Sequence, residues 1–179
     1  MKDILHFEPL TASKYATYIK VGTLAYNQHY LHLWPKEDTT PYIESSFTKE
    51  VLLVEEADDN TLLYLIQLHG KAVGVFKFTL DCSQNPFSKQ EALYIDKIYI
   101  LNEYSGKGIG QKVLQFAELR AKELGKKVVW LDTMQKGPAL QFYLKNGYTI
   151  HGESKVHFAA VLPEEKFMWV MVKKLIVDS

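Results

Sequence analysis

Cysteine is almost absent from this chain. A single thiol, Cys82, among 179 residues excludes an internal disulfide and cannot by itself build a cysteine-based zinc site. Net charge is absent too. The 21 basic and 21 acidic side chains cancel, and no basic cluster marks a nucleic-acid backbone as partner. No apolar run approaches the ~20 residues a membrane-spanning helix needs. Met1-Lys2-Asp3-Ile4-Leu5 opens no long apolar segment of the kind a secretory signal carries. These absences point away from nucleic-acid and membrane partners and toward a cytoplasmic protein. Internal repeats, low-complexity tracts and linkers are missing as well, so 1–179 reads as a single domain. What is plentiful is apolar and aromatic side chain, 47% and 13% of the chain, as in a well-packed globule.

The pattern along the chain predicts alternating strands and helices. Ile4–Glu8 reads as a short strand. Thr11 or Ser13 can cap a helix through Tyr15, Ile19 and Leu24 toward Tyr30. Thr40-Pro41 reads as cap and first position of a second helix, Pro41 to about Lys49. Leu62–Leu68 and Ala72–Leu80 form a hairpin about His69-Gly70. A loop, Asp81–Gln90, leads to a strand over Leu93–Ile100 that places Tyr94, Asp96, Ile98 and Ile100 on one face. Ile109, Val113, Phe116, Ala117, Ala121 and Leu124 recur at helical spacing. Val128-Val129-Trp130-Leu131 is a strand buried on both faces. A short helix, Pro138–Lys145, and two strands, Tyr148–Glu153 and Lys166–Lys174, complete the chain. A strand–helix–strand unit between Leu93 and Asp132 implies one parallel pair. The expected class is therefore α/β, a mixed sheet with helices on both sides.

One stretch carries chemistry more plainly than the rest: Tyr104-Ser105-Gly106-Lys107-Gly108-Ile109-Gly110, between a strand and a helix. Glycines permit close approach of the backbone and positive φ. A helix start offers unpaired N–H groups and the positive end of a dipole. Together they suit a phosphate or pyrophosphate. A Walker loop fits poorly, since Gly110 is followed by Gln111-Lys112-Val113 rather than Lys and a hydroxyl. A dinucleotide fingerprint fits weakly. Gln111 takes the third glycine position and Leu101–Ser105 separate the strand from Gly106, although Asp132 ends the next strand as a ribose-binding acid would.

A third pattern fits best. The segment from Tyr94 to Gly110 resembles motif A of the GCN5-related N-acetyltransferase family, and Ala139-Leu140-Gln141-Phe142-Tyr143-Leu144-Lys145-Asn146-Gly147-Tyr148 resembles its motif B. The order of elements is similar along nearly the whole chain. Ile95–Gly110 is especially similar to bacterial polyamine acetyltransferases such as those acting on spermidine and spermine. Two positions depart from the pattern. Ser105 stands where Gln or Arg is usual, and Lys136 where an Asn often precedes motif B.

The resemblance implies a mostly antiparallel sheet with one splayed parallel pair, acetyl-CoA as co-substrate, no metal, and an amine acceptor attacked directly in a ternary complex. It places Ser105, Gly106, Lys107, Gly108, Ile109 and Gly110 at the coenzyme pyrophosphate. Ile98, Tyr99 and Ile100 would lie along the pantetheine arm, through main-chain atoms. It makes Tyr143 the general acid at the leaving sulfur, a task for which a phenol, protonated at neutral pH, is suited. Asp96 is the first candidate for a base or an amine-binding carboxylate. Tyr26, His29, Trp34, Tyr94 and His157 are candidates for the acceptor pocket, because aromatic faces attract cationic amines. His29 and His32 lie three apart without a third ligand, which sets metal binding aside. A small amine or polyamine is the expected acceptor, and a homodimer the family's common assembly. A protein N-terminus or lysine is the alternative acceptor, and a non-catalytic acyl-CoA-binding module the alternative role.

Overall fold

The computed structural model describes residues 4–176. Its strands are β1 (Leu5–Pro9), β2 (Thr61–Leu68), β3 (Lys71–Thr79), β4 (Ala92–Ile100), β5 (Val128–Met134), β6 (Thr149–Lys155) and β7 (Phe167–Lys174). Its α-helices are α1 (Tyr15–Tyr30), α2 (Thr40–Ser46), α3 (Lys49–Glu56), α4 (Ile109–Glu123) and α5 (Ala139–Lys145). The strands hydrogen-bond in the order β1-β2-β3-β4-β5-β7-β6. β1–β2, β5–β7 and β6–β7 pair antiparallel, whereas β4–β5 is parallel. This is the mixed, mostly antiparallel α/β sheet with one parallel pair that the sequence implies. The chain divides into two compact units, Met1–Lys77 with Lys97–Gly110, and Phe78–Asp96 with Gln111–Ser179. Both β3 and β4 pass from one unit into the other.

In the first unit α1 buries Tyr15, Tyr18, Val21, Gly22, Ala25 and Tyr26, each three or four residues from another of the set, as one helical face requires. They pack with Phe47, Leu52, Leu63, Leu65, Val75 and Leu101. The region after Pro35 differs from the sequence expectation of one helix ending near Lys49. α2 starts one residue earlier, at Thr40, and stops at Ser46, and a separate helix, α3, follows. Phe47 forces the break. It leaves helical geometry (φ −129°, ψ 54°) and is 2% exposed among the core residues. Thr48 then caps α3, its Oγ1 accepting the Val51 amide at 3.3 Å. Three α-helices, not two, thus precede the hairpin. The hairpin turns through His69 and Gly70, both at positive φ (51° and 75°), the geometry of a type I′ turn. At Gly74 of β3 a Cβ would sit 2.6 Å from the carbonyl oxygen of Tyr99, so only glycine lets the backbones approach this closely.

In the second unit, Ala92–Ile95 pair in parallel register with Val128–Leu131. Ala92, Val128, Trp130, Val170 and Val172 form a buried cluster, with Cys82, Phe87 and Tyr94 packed against it. Val113, Ala117 and Ala121 of α4 are fully buried. That helix closes with the Lys126 amide on the Ala121 carbonyl and the Gly125 amide on Lys122, a Schellman ending. The loop 81–90 is tied from three places. Lys126 pairs with Asp81, Trp130 Nε1 donates to the Cys82 carbonyl at 2.8 Å, and His151 Nε2 donates to the Asn85 carbonyl at 2.7 Å. His151 sits where β6 slips register against β7, a bulge between Ile150 and Gly152. Tyr148, expected to begin β6, lies before it and is 1% exposed, its hydroxyl on Glu118.

Candidate active site

The glycine turn is built by its neighbours on both sides. β4 ends at Ile100, one short helical turn over Asn102–Tyr104 follows, and Ser105–Gly108 lead into α4 at Ile109. Gly106 and Gly108 take φ of 73° and 80°, and nothing lies within 4 Å of where a Cβ would sit on either. Ser105, Gly106, Lys107 and Gly108 are exposed, while Ile109 is buried and anchors the helix start. The first-turn amides of α4 have no intrahelical acceptors and lie at the positive end of its dipole. Two ammonium groups add to them. Lys107 Nζ lies 5.2 Å and Lys71 Nζ 5.6 Å from the centre of the Tyr104 ring. A hydrogen bond to Tyr104 raises the Lys71 pKa and keeps it charged. Open space beside left-handed glycines, free amides and two cations fit a diphosphate. Lys71 escaped the sequence reading because it belongs to another strand.

The end of β4 carries three of the predicted coenzyme residues. The parallel ladder covers β4 only as far as Ile95, so Ile98, Tyr99 and Ile100 lie beyond its last rung. The Tyr99 ring turns into the first unit's core, its hydroxyl 2.5 Å from that of Tyr42, and burial raises its pKa. Ile98 and Ile100 are half-buried. The Ile100 carbonyl accepts a hydrogen bond from His29 Nε2 at 2.9 Å.

The aromatic cluster at the end of α1 is packed, not open. Tyr26 and Trp34 are 4% and 2% exposed. Trp34 Nε1 donates to the Tyr26 hydroxyl at 3.0 Å, and the Tyr26 ring stacks on Tyr42 with centroids 3.9 Å apart. Burial raises the Tyr26 pKa strongly and pushes Tyr30 up to about 12. Of the acceptor candidates in the first unit, only His29 is not a core residue.

In the second unit Tyr94 and Asp96 come together with a residue the acceptor reading did not include, Asp132. The Tyr94 hydroxyl donates to Asp132 Oδ2 at 2.9 Å, and the Ser154 hydroxyl donates to Oδ1 at 2.5 Å. The Tyr94 ring lies 4.1 Å from that of Trp130. Asp96 accepts from the Thr79 hydroxyl at 2.7 Å. Burial first, then the charges of Asp132 and Asp96, push the Tyr94 phenol well above its ordinary range, so it remains a donor. Burial and the same two carboxylates raise the Cys82 thiol. A pair of carboxylates among aromatic rings concentrates negative potential, as a cationic amine requires. The signal for Asp132 lay in its position at the end of a buried strand, but its partners on β4 and β6 are distant in sequence.

Tyr143 lies on α5, half-buried, with its ring 5.1 Å from Phe142 and 6.0 Å from Tyr148. His157 is exposed in the irregular segment after β6. Among the described residues no group of three His, Cys, Asp or Glu side chains is placed to hold a metal, and no helix is long and apolar enough to cross a membrane.

Residues 24–148 match the sequence model of the acetyltransferase (GNAT) family. An uncharacterized N-acetyltransferase of Lactobacillus delbrueckii subsp. lactis is 27% identical over 142 residues, which span 79% of this chain and 80% of that protein. Among solved structures, the PaiA N-acetyltransferase from Thermoplasma acidophilum in complex with coenzyme A superposes with a TM-score of 0.75 at 19% identity, over 96% of this chain and 99% of that one. A spermidine N-acetyltransferase of Vibrio cholerae reaches a TM-score of 0.69 at 14% identity, over 95% and 93% of the two chains. At these identities the structural likenesses speak to fold.

Proposed function

The chain belongs to the acetyltransferase (GNAT) family, and from that membership we propose that it moves the acetyl group of acetyl-CoA onto a primary amine of a small molecule, a polyamine foremost. The observation that carries the coenzyme assignment is the turn at the head of α4, two left-handed glycines with open space beside them. Ser105 to Gly110 hold the pyrophosphate there through main-chain amides, and Lys71 and Lys107 supply positive charge. Ser105 in place of Gln or Arg leaves those amides intact and forgoes one side-chain contact. The main chain of Ile98–Ile100 flanks the pantetheine arm like an added strand. The structural relative from T. acidophilum, bound to coenzyme A, supports the same reading.

The coenzyme supplies an activated acetyl thioester, and the chain supplies proton handling and orientation. The acceptor nitrogen forms a C–N bond to the acetyl carbon as the C–S bond breaks. Tyr143 gives its phenolic proton to the departing sulfur, and Asp96, directly or through a water, takes the proton lost by the amine. Asp96 and Asp132 draw a cationic acceptor, with Tyr94 held by Asp132 beside them. Tyr26 and Trp34 are buried in the core of the first unit rather than lining a pocket, and His157 contacts the acceptor from the segment after β6. The partner in this reading is a small amine rather than a nucleic acid or a membrane, in a cytoplasmic setting, with a homodimer as the assembly.

A thermal-shift and thiol-release screen tests the proposal. Acetyl-CoA should raise the melting temperature, since a ligand of the native state stabilises it, and thiol should be released with one class among polyamines, aminoglycosides, amino acids and short peptides. Release with peptides alone would transfer the acceptor to proteins. A coenzyme-bound protein that releases no thiol on the whole panel would contradict the proposed small-amine acceptors. Stabilisation by a nicotinamide nucleotide instead of acetyl-CoA would overturn the coenzyme assignment.

A further inference from the structure

We propose that Gln28 and His29, adjacent residues in the last turn of α1, are positioning residues that hold the exit of β4 and thereby set the affinity of the glycine turn for the coenzyme. The inference rests on the coenzyme reading above. It assigns His29 to the backbone of the coenzyme side rather than to the acceptor pocket.

Three consecutive residues at the end of β4 are each fixed from outside the strand. The Ile100 carbonyl accepts from His29 Nε2 at 2.9 Å. The Leu101 amide donates to the Val73 carbonyl at 2.9 Å, and its side chain is 5% exposed in the core. The Asn102 amide donates to Gln28 Oε1 at 2.7 Å. The same residues then carry the turn that follows. The Leu101 carbonyl accepts from the Tyr104 amide at 2.9 Å, and the Asn102 carbonyl from the Ser105 amide at 3.1 Å. Gly106 is the next residue. The path from α1 to the anion-binding amides is therefore a short relay of hydrogen bonds.

The two contacts have functional rather than packing character. Gln28 is exposed, so its bond to Asn102 is not a by-product of burial. Ile100 lies past the last rung of the parallel ladder. There a side chain takes the place of a strand neighbour for a main-chain carbonyl. A turn of bare amides binds an anion well only if it is held in the binding geometry beforehand, because ordering it on binding costs conformational entropy.

Gln28→Met keeps length and removes the acceptor, Gln28→Glu keeps an acceptor oxygen, and His29→Phe keeps a ring and removes the N–H. With saturating amine, Gln28→Met and His29→Phe should each raise KM for acetyl-CoA about threefold to tenfold, the worth of one hydrogen bond, with kcat little changed. Gln28→Glu should restore the wild-type KM. Hydrogen exchange of the amides from Asn102 to Gly110 should quicken in the two disrupted variants while the melting temperature of the free protein holds. Wild-type KM and wild-type exchange in both variants would overturn the proposal. So would a fall in kcat at constant KM for acetyl-CoA in His29→Phe, which would return His29 to the acceptor. Wild-type protein that coenzyme A does not stabilise would instead overturn the functional reading itself, before the variants are compared.

Discussion

Gly108 at φ 80° has open space where a side chain would project, so Gly108→Val is disfavoured twice. Its Cβ strains the left-handed backbone, and its methyl groups enter the open space in which the proposed diphosphate would lie. The variant should fold yet lose the melting-temperature gain that acetyl-CoA gives the wild type, read by thermal shift. Tyr143→Phe should act on the other half of the reaction, lowering kcat about a hundredfold, as loss of a general acid does, while coenzyme stabilisation persists. An unchanged kcat would remove Tyr143 from the chemistry. The glycine turn was readable in the sequence because everything that defines it is local: small residues, a strand before and a helix after. The roles of Tyr26 and Trp34 were not. The same aromatic residues serve equally as pocket wall or core, and only their near-complete burial against each other and Tyr42 distinguishes the two. Asp132 likewise shows its relation to Tyr94 and Ser154 only once β4, β5, β7 and β6 are set in that order in the sheet.

α3 shows how an element hides behind its neighbour. Pro41 and the residues after it carry a helical signal strong enough to run on to Lys49, and nothing local announces that Phe47 will leave the helix to enter the core. α3 is capped by Thr48, with Glu50 in its first turn and Leu52 as its buried position. Thr48→Ala should destabilise the protein by about 1 kcal/mol, measured by urea unfolding, with the coenzyme response unchanged. Gly74 makes the complementary case in a strand. A Cβ there would meet the Tyr99 carbonyl and lie 3.2 Å from the Ile100 Cα, backbone that cannot rotate away. Gly74→Ala should therefore cost about 1–3 kcal/mol, as overpacking does. Because the displaced residues belong to the end of β4, it should also weaken coenzyme binding. A loss of stability without that second effect would show that β4 adjusts without disturbing the turn.

For the whole chain, the alternation of strands and helices announced an α/β class and one parallel pair, whereas the strand order did not follow from it. β7 between β5 and β6 is a choice among long-range pairings on which periodicity is silent. Charge balance, by contrast, has a consequence in solution. Hydrogen bonds from Lys127 and from the Ser88 amide hold the Glu91 carboxyl at about 2, below its ordinary 4.5. A lowered folded-state value means that the contribution is complete above the unfolded value and is lost as pH falls toward the folded one. The difference in melting temperature between wild type and Glu91→Gln should thus be greatest above pH 4.5 and vanish toward pH 2. A difference that grows in acid would refute the assignment. Finally, β6 ends the strand order, and its outer margin would be an open invitation to other chains were it straight. The slip at His151, tethered to the Asn85 carbonyl, interrupts the regular ladder of this edge strand, and bulges of this kind are one means by which sheet edges resist pairing with another chain.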